Sequence, residues 1–399
     1  MIPLSEATEF VIGSVNLLKP VRVALAQARG SVLVDDVQAS EAVPPFANTA
    51  MDGFAVRAQD MIGAPRTLEV VGTVAAGDVG DIEVAKGQAA RIMTGAPMPP
   101  GADAVIMVEL TEPADDGSSV RVIEPVSVGN HVREVGEDIQ PGDTVFTAGT
   151  RLSAGHLGVL ASLGSYEVDV FARPRVGVIS TGDELVDGPQ RLQRGQIHDS
   201  NRHTLLALVE ESGFEAIDLG LIADDKDSLS AAIIDASSDC DALISSGGVS
   251  MGDFDFVKVV LDEIGEMRWM QVAIKPAKPL AFGFVNEMPV FGLPGNPVSS
   301  MVSYELFARP ALLKMAGNSE LERPIVMAVA DEDLRRHPDG KTHFARVIVH
   351  YEDDTYRART AGGQGSHQLT AMAYANALAV LPDGDGASAG ETIRVMLLE

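Results

Sequence analysis

Between residues 174 and 316, apolar strand-like runs alternate with helical runs, and this alternation narrows the possible folds more than any other feature of the chain. Arg175-Val-Gly-Val-Ile reads as a buried strand running into Ser180-Thr-Gly-Asp-Glu. The spacing predicts a helix from Asn201 to Glu211, with Leu205, Leu206, Leu208 and Val209 on its apolar side and Gly213 as its C-cap. A strand, Ala216-Ile-Asp-Leu-Gly-Leu-Ile, ends in Asp224-Asp225, and a second helix covers about 226–236. The strand Ala242-Leu-Ile leads into Ser245-Ser-Gly-Gly-Val-Ser, and Phe256 to Ile264 forms a third helix with Val257, Val260, Leu261 and Ile264 at helical spacing. Val290-Phe-Gly-Leu meets Pro294-Gly-Asn-Pro and a long helix to about Met315. Such alternation calls for right-handed crossovers and a parallel sheet with helices on both faces.

The flanks read differently. Residues 5–19 fit an amphipathic helix, with Ser5 as N-cap, Phe10, Val11, Leu17 and Leu18 apolar, and Pro20 as its stop. From about 30 to 170, short runs such as Thr67-Leu-Glu-Val-Val, Ala104-Val-Ile-Met-Val and Val120-Arg-Val-Ile predict β-rich modules. Past Pro324, strands are expected at 325–330, 343–351, 356–360, 378–381 and 393–398, as in a small closed or sandwiched β-domain. The expected fold class is multi-domain α/β plus β, cut near 173 and 322.

Charge limits the ligands. Thirty basic against 57 acidic residues give a net charge of −27, which argues against nucleic-acid or anionic-membrane partners. A phosphorylated ligand must then be gripped locally, by backbone N–H groups, a few Lys or Arg, or a bridging metal. A single cysteine, Cys240, excludes an intrachain disulfide or a Cys-rich metal centre and suits a reducing cytoplasm. The first residues lack a basic stretch and carry Glu6 and Glu9, unlike a signal peptide, and no apolar run approaches the ~20 residues of a membrane helix.

Ligands of open parallel sheets bind beyond the carboxyl ends of the strands. Here the ends read Thr181-Gly-Asp-Glu184, Asp224-Asp225, Ser245-Ser-Gly-Gly-Val-Ser250 and Pro294-Gly-Asn-Pro-Val-Ser299. Polar βα-loops are ordinary singly; several on adjacent strand ends favour a site. Ser246-Gly247-Gly248 can turn successive N–H groups to an anion with Ser250 adding a hydroxyl, or can simply form a tight turn. It is not a Walker A loop, and no G-x-G-x-x-G follows a strand. Glu184, Asp224, Asp225, Asp253 and Asp255 are either solvated surface or oxygen ligands for a hard cation such as Mg²⁺. Lys275 and Lys278, stiffened by flanking prolines, fit an oxyanion; the plain alternative is surface lysines on a Pro-rich loop. His198, His203, His343 and His367 stand apart without metal-ligand spacing, and Cys240 has no histidine nearby.

Asn48-Thr-Ala-Met-Asp-Gly-Phe-Ala-Val56, Arg91-Ile-Met-Thr-Gly-Ala-Pro97, Gly136-Glu-Asp-Ile139, Ser180-Thr-Gly-Asp-Glu-Leu185, Ser245-Ser-Gly-Gly-Val-Ser-Met-Gly252, Lys275-Pro-Ala-Lys-Pro279, Gly292-Leu-Pro-Gly-Asn-Pro-Val-Ser299 and Gly363-Gln-Gly-Ser-His367 stand in this order. Together they resemble the molybdopterin molybdenumtransferase (MoeA) family, which includes the E domain of gephyrin and its plant counterpart. The resemblance runs from about residue 5 to the C-terminus.

It implies an elongated homodimer with a split linking domain (1–46 with 141–173), a β-rich second domain (47–140), an α/β molybdopterin-binding domain (174–322) and a C-terminal β-barrel (323–399). It implies a transferase that converts adenylylated molybdopterin and molybdate into molybdenum cofactor and AMP with a divalent cation such as Mg²⁺. Position by position, Glu184 and Asp255 match the metal-holding acids. Lys275, Lys278 and Ser299, with Arg346 and Ser366, match molybdate-binding residues. Ser246, Gly247, Gly248, Ser250, Pro294 and Pro297 are expected to bind substrate. Asp52, Thr94 and Asp138 match residues that reach the cleft, the partner protomer's by this reading, and Asp224 matches another cleft acid. Phe54 and Ala277 depart from the common Tyr and Gly. The molybdopterin adenylyltransferase and cofactor-accepting enzymes are the protein partners this implies. The alternatives are a paralogue for another oxyanion, such as tungstate, and a non-catalytic gephyrin-like scaffold.

Overall fold

A computed structural model describes residues 1–79, 81–247 and 256–398, which divide into two compact units. One comprises Met1–Arg22, Gly30–Val34 and the chain from Asp169 onward; the other comprises Val23–Arg29 and Asp35–Val168.

The first unit is built on a six-stranded sheet in the order Glu215–Ile222, Arg175–Thr181, Ala242–Ser246, Met288–Leu293, Pro279–Val285, Glu266–Gln271. The first four strands are parallel, as the alternation required, and are buried β-branched runs such as Val176, Val178 and Ile179. The other two strands are antiparallel additions at one edge that the repeat of strand and helix did not announce. The inner of the two, Pro279–Val285, makes a hairpin with Met288–Leu293 that turns at Asn286 and Glu287, both at positive φ, without the glycine that usually marks such a turn.

Helices Asn201–Glu211 and Phe256–Ile264 span the residues their apolar spacing predicts. Ser212 is the C-cap of the former, and Gly213 follows at φ +88°. Helix Lys226–Asp239 runs three residues longer than its apolar pattern, and the strand after it reaches Ser246. The N-terminal helix is shorter than predicted: it spans Leu4–Ser14, after Pro3 rather than Ser5 as cap, and Val15 is already extended. Ser14 returns its hydroxyl to the Phe10 carbonyl at 2.7 Å, a local bond that competes with helix continuation. Leu18 instead donates its N–H to Met315 O and packs on the core by a loop route. Ala7 and Val11, four residues apart, are fully buried against the sheet's apolar residues.

The long helix after Leu293 runs Pro297–Ser303, widens into a π turn at Tyr304–Ala308, and resumes as Arg309–Met315. Pro310 offers no N–H to the carbonyl one turn before it, which gives the ladder reason to shift there.

Beyond the helix, Thr342–Glu352, Thr355–Thr360, Ile325–Ala330, Thr392–Leu397 and Ala377–Leu381 pair in that order, and the last pairs back to the first. The result is a closed five-stranded barrel filled by Ala328, Val347, Ala358, Ala379 and Val395. Closure removes exposed strand edges. The short strand Ile274–Lys275 pairs in parallel with Thr342–His343 and so belongs to the barrel's sheet rather than to a free loop.

The second unit holds another six-stranded sheet, in the order Ala104–Met107, Gly53–Val56, Gln88–Ile92, Arg66–Val74, Ser119–Val122, Thr111–Pro113. Helix Ala154–Ser162 begins with a capping box between Ser153 and His156.

Candidate active site

Register aligns the carboxyl ends of the four parallel strands. Thr181 is level with Ile222, Ser180 with Ser246, and Ser246 with Leu293. The loops that follow therefore emerge side by side. Gly247, at φ +95°, donates its N–H to Leu293 O at 3.0 Å. That N–H is engaged within the sheet, so the expectation that Ser246-Gly247-Gly248 turn successive N–H groups outward does not hold at Gly247. A Cβ on Gly247 would come within 3.3 Å of Thr181 O, and one on Gly295 within 3.8 Å of Gly247. Asn201 closes the row by donating Nδ2 to Gly295 O at 2.7 Å. Gly248, Ser250, Asp253 and Asp255 lie outside the described residues.

The sequence left open which acid of the Asp224-Asp225 pair faces the strand ends. Asp225 is the N-cap of helix Lys226–Asp239, accepting from the N–H groups of Asp227 (3.1 Å) and Ser228 (3.0 Å). Those bonds hold its carboxyl below the usual value. Asp224 instead accepts the Thr181 hydroxyl at 3.2 Å. Burial pushes its carboxyl up, the Thr181 bond opposes this, and the nearby charges of Asp183, Glu184 and Asp225 push up again. Glu184 folds back over Gly182, where a Cβ would stand 2.7 Å from Oε2.

Behind this row lies a network that the sequence did not single out. Arg202 is 1% exposed and bonds Asp199, Asp187 and Asp218. Asp199 in turn accepts the Ser180 hydroxyl at 3.1 Å. A buried guanidinium needs such partners, and here they fasten the end of strand Arg175–Thr181 to helix Asn201–Glu211. The only available signal was the Asp199/Arg202 spacing at a helix start.

A second group gathers where the barrel meets helix Pro297–Ser303, which follows Asn296 at the N-cap position and starts at Pro297 beyond a buried Pro294. Ser299 is buried in that helix, and Val298 donates its N–H to Ser366 O at 3.2 Å. Gln364 exchanges bonds with the backbone of Arg346. Arg346 is 1% exposed, and its Nη2 reaches the carbonyls of Gly363 (3.1 Å) and Gly365 (3.2 Å). Among the described residues it has no carboxylate partner, and its buried Nε has no acceptor. Burial lowers its pKa to about 10. Lys275 enters the same sheet three residues from this arginine's position, level with His343. Lys275 and Lys278 are both exposed, with no ion pair among the described residues.

In the second unit, Asp52 accepts both the N–H (2.7 Å) and the hydroxyl (2.8 Å) of Thr94, which lower its pKa. Asp138 is not bonded to either; its N–H donates to Val43 O at 3.0 Å.

Comparison with known proteins accounts for nearly the whole chain. Residues 2–164 match the MoeA N-terminal region (domain I and II), 177–314 a probable molybdopterin binding domain, and 328–398 the MoeA C-terminal region (domain IV). A molybdopterin molybdenumtransferase of Haemophilus influenzae is 39% identical over 93% of this chain and 92% of its own. One of Bacillus subtilis is 36% identical over 100% of this chain and 94% of its own. A solved molybdopterin biosynthesis moeA protein from Pyrococcus horikoshii OT3 superposes with a TM-score of 0.81 at 30% identity, covering 100% of both chains.

Proposed function

Because the chain belongs to the MoeA family of molybdopterin molybdenumtransferases, and is thus a transferase of molybdenum cofactor biosynthesis, we propose that it joins molybdate to adenylylated molybdopterin, giving molybdenum cofactor and AMP. The observation that carries this reading is Arg346. A buried guanidinium with no carboxylate among the described residues is costly. A tetrahedral oxyanion would supply both the charge and the acceptors it lacks. Ser299, Ser366, Lys275 and Lys278 are the further donors that this reading gives to the same oxyanion.

The strand-end acids take the other half of the reaction. Hard carboxylate oxygens, one of them raised in pKa by burial and then by its acidic neighbours, are a donor set that suits Mg²⁺. Glu184 and Asp255 would hold the cation, with Asp224 beside them, and it would neutralise charge on the adenylate phosphates. The protein's own contribution is positioning and fixed positive charge; no side chain needs to form a covalent intermediate. We further propose a cytoplasmic homodimer in which Asp52, Thr94 and Asp138 of one protomer serve the partner's cleft.

The test is incubation with adenylylated molybdopterin, Mg²⁺ and molybdate, following AMP release and cofactor formation. The expected result is AMP release that requires both ions. Release indifferent to molybdate would refute the reading, and preference for tungstate over molybdate would move it to another oxyanion.

A further inference from the structure

Lys275 faces a titratable group to which the proposed reaction gives no role. Ile274–Lys275 and the start of Thr342–Glu352 pair in parallel, with Lys275 level with His343. Side chains level on neighbouring strands share a face, and their strands lie about 4.8 Å apart. The His343 ring is mostly enclosed, and its Nε2 lies 3.1 Å from Asp339 Oδ1. Asp339 is held in turn by Arg336 and Lys341, each at 2.9 Å. Arg336 is fixed by the carbonyls of Lys341, Leu381 and Pro382, so the carboxylate cannot swing away from the ring. Lys341 first, with His343 and further charge, holds the Asp339 carboxyl down at about 2, so it stays ionised.

We infer that His343 is a positioning residue for Lys275: held by Asp339 beside the ammonium, it sets by its own protonation how much positive charge an oxyanion meets there. The inference rests on the reading of Lys275 as an oxyanion-holding residue. The charged groups facing the ring are Lys275 from the parallel strand and Asp339 and Arg336 from the preceding loop; Lys341 acts through Asp339. Burial lowers the imidazole's pKa most, the Asp339 bond opposes it, and Arg336 and Lys275 lower it further. Near neutral pH the ring is therefore uncharged, with Nε2–H on Asp339 and Nδ1 left as its basic nitrogen. On acidification it becomes a second cation next to Lys275. A bound dianion favours that protonated state, so oxyanion affinity must rise as pH falls.

The experiment is equilibrium binding of molybdate alone to the full chain by calorimetry, between about pH 5 and 8. The unmodified protein should bind about five- to tenfold more tightly at the acidic end. His343→Gln should bind as well as the parent at the alkaline end and lose that slope, with its melting curve confirming the fold. A flat profile in the unmodified protein, or an equal slope in His343→Gln, overturns the inference. Lys275→Ala separates the two readings: if it binds molybdate as tightly as the parent, the oxyanion role of Lys275 fails, and this inference with it.

Discussion

The hydroxyl of Thr181 donates to the carboxylate of Asp224 across 3.2 Å, opposing the burial that pushes the Asp224 carboxyl up. Thr181→Val keeps the shape and removes that opposition, so the Asp224 pKa should rise further. The acidic limb of the pH–rate profile should then move to higher pH. Stability changes in the same sense. A carboxyl raised by folding favours the native state most below its unfolded value, and loses that contribution as pH rises through its folded pKa. The variant should therefore lose more stability than the parent on going from acid to neutral pH. Carboxyl titration by NMR, beside the rate profile, checks this; an unmoved limb would mean that Asp224 does not titrate in the reaction.

Adjacent Asp225 should behave in the opposite way. As the cap of helix Lys226–Asp239, its loss in Asp225→Ala should lower the melting temperature by a few degrees and leave turnover nearly intact. Asp224→Asn should spare the melt and impair turnover. The Asp225 capping contribution is present above the unfolded carboxyl pKa and lost as pH falls through the lowered folded one, so the Asp225→Ala deficit should shrink in acid. Equal turnover losses in the two variants would contradict this division of labour.

Gly182 carries the Glu184 carboxylate directly above its Cα. In Gly182→Ala the new methyl would stand 2.7 Å from Oε2, on a backbone at φ +150° that side chains rarely adopt. Glu184 is the part that can move, so the expected defect is in cation use. The Mg²⁺ concentration for half-maximal AMP release should rise about tenfold, or roughly 1.4 kcal/mol. An unchanged Mg²⁺ requirement would remove Glu184 from the proposed cation site.

Lys275→Ala or Lys278→Ala should raise the molybdate concentration needed for turnover and spare pterin binding. Losing one charge-assisted bond costs about 1.5–3 kcal/mol, roughly ten- to a hundredfold in affinity. If pterin binding falls and molybdate dependence does not change, the lysines hold the pterin's phosphate instead.

A site shared by two protomers has its own signature. If Asp52→Ala and Lys275→Ala each inactivate the protein alone, a mixed dimer has one site with both lesions and one with neither. Random reassortment of equal amounts should restore about a quarter of the parent activity. Proven subunit exchange without recovery would place all the working residues of a site in one chain.

What was legible in the sequence follows the range of the physics. Phe256–Ile264 could be read because Val257, Val260 and Leu261 repeat at the helical period, and that period is local. Leu18 misled because periodicity records burial without recording the element, and Leu17 because it is apolar yet exposed; both follow a helix that ends at Ser14. The hairpin of Pro279–Val285 with Met288–Leu293 went unread because Asn286 and Glu287 make its turn without glycine. In the candidate site, the motif residues were visible, while their neighbours were not. Nothing local links Lys275 to His343, Ser180 to Asp199, or Arg202 to Asp218; register and packing do. The choice between Asp224 and Asp225 depended on the residue at which a helix begins, which sequence patterns resolve least well.

Strand Thr342–Glu352 pairs with Thr355–Thr360, with Ala377–Leu381 and with Ile274–Lys275. This gives the two halves of the site different birth dates. During synthesis, the strand-end row around Thr181, Asp224 and Ser246 can form as soon as the parallel sheet has emerged. Lys275 and Arg346 wait for the barrel, because Ile274–Lys275 pairs with Thr342–Glu352, and that strand has no settled place until the chain's last strands close the ring. A nascent or C-terminally clipped chain would thus acquire the end proposed for the phosphates early and still lack the pocket proposed for the oxyanion. On that reading, competence for metal transfer would come late, when the barrel shuts.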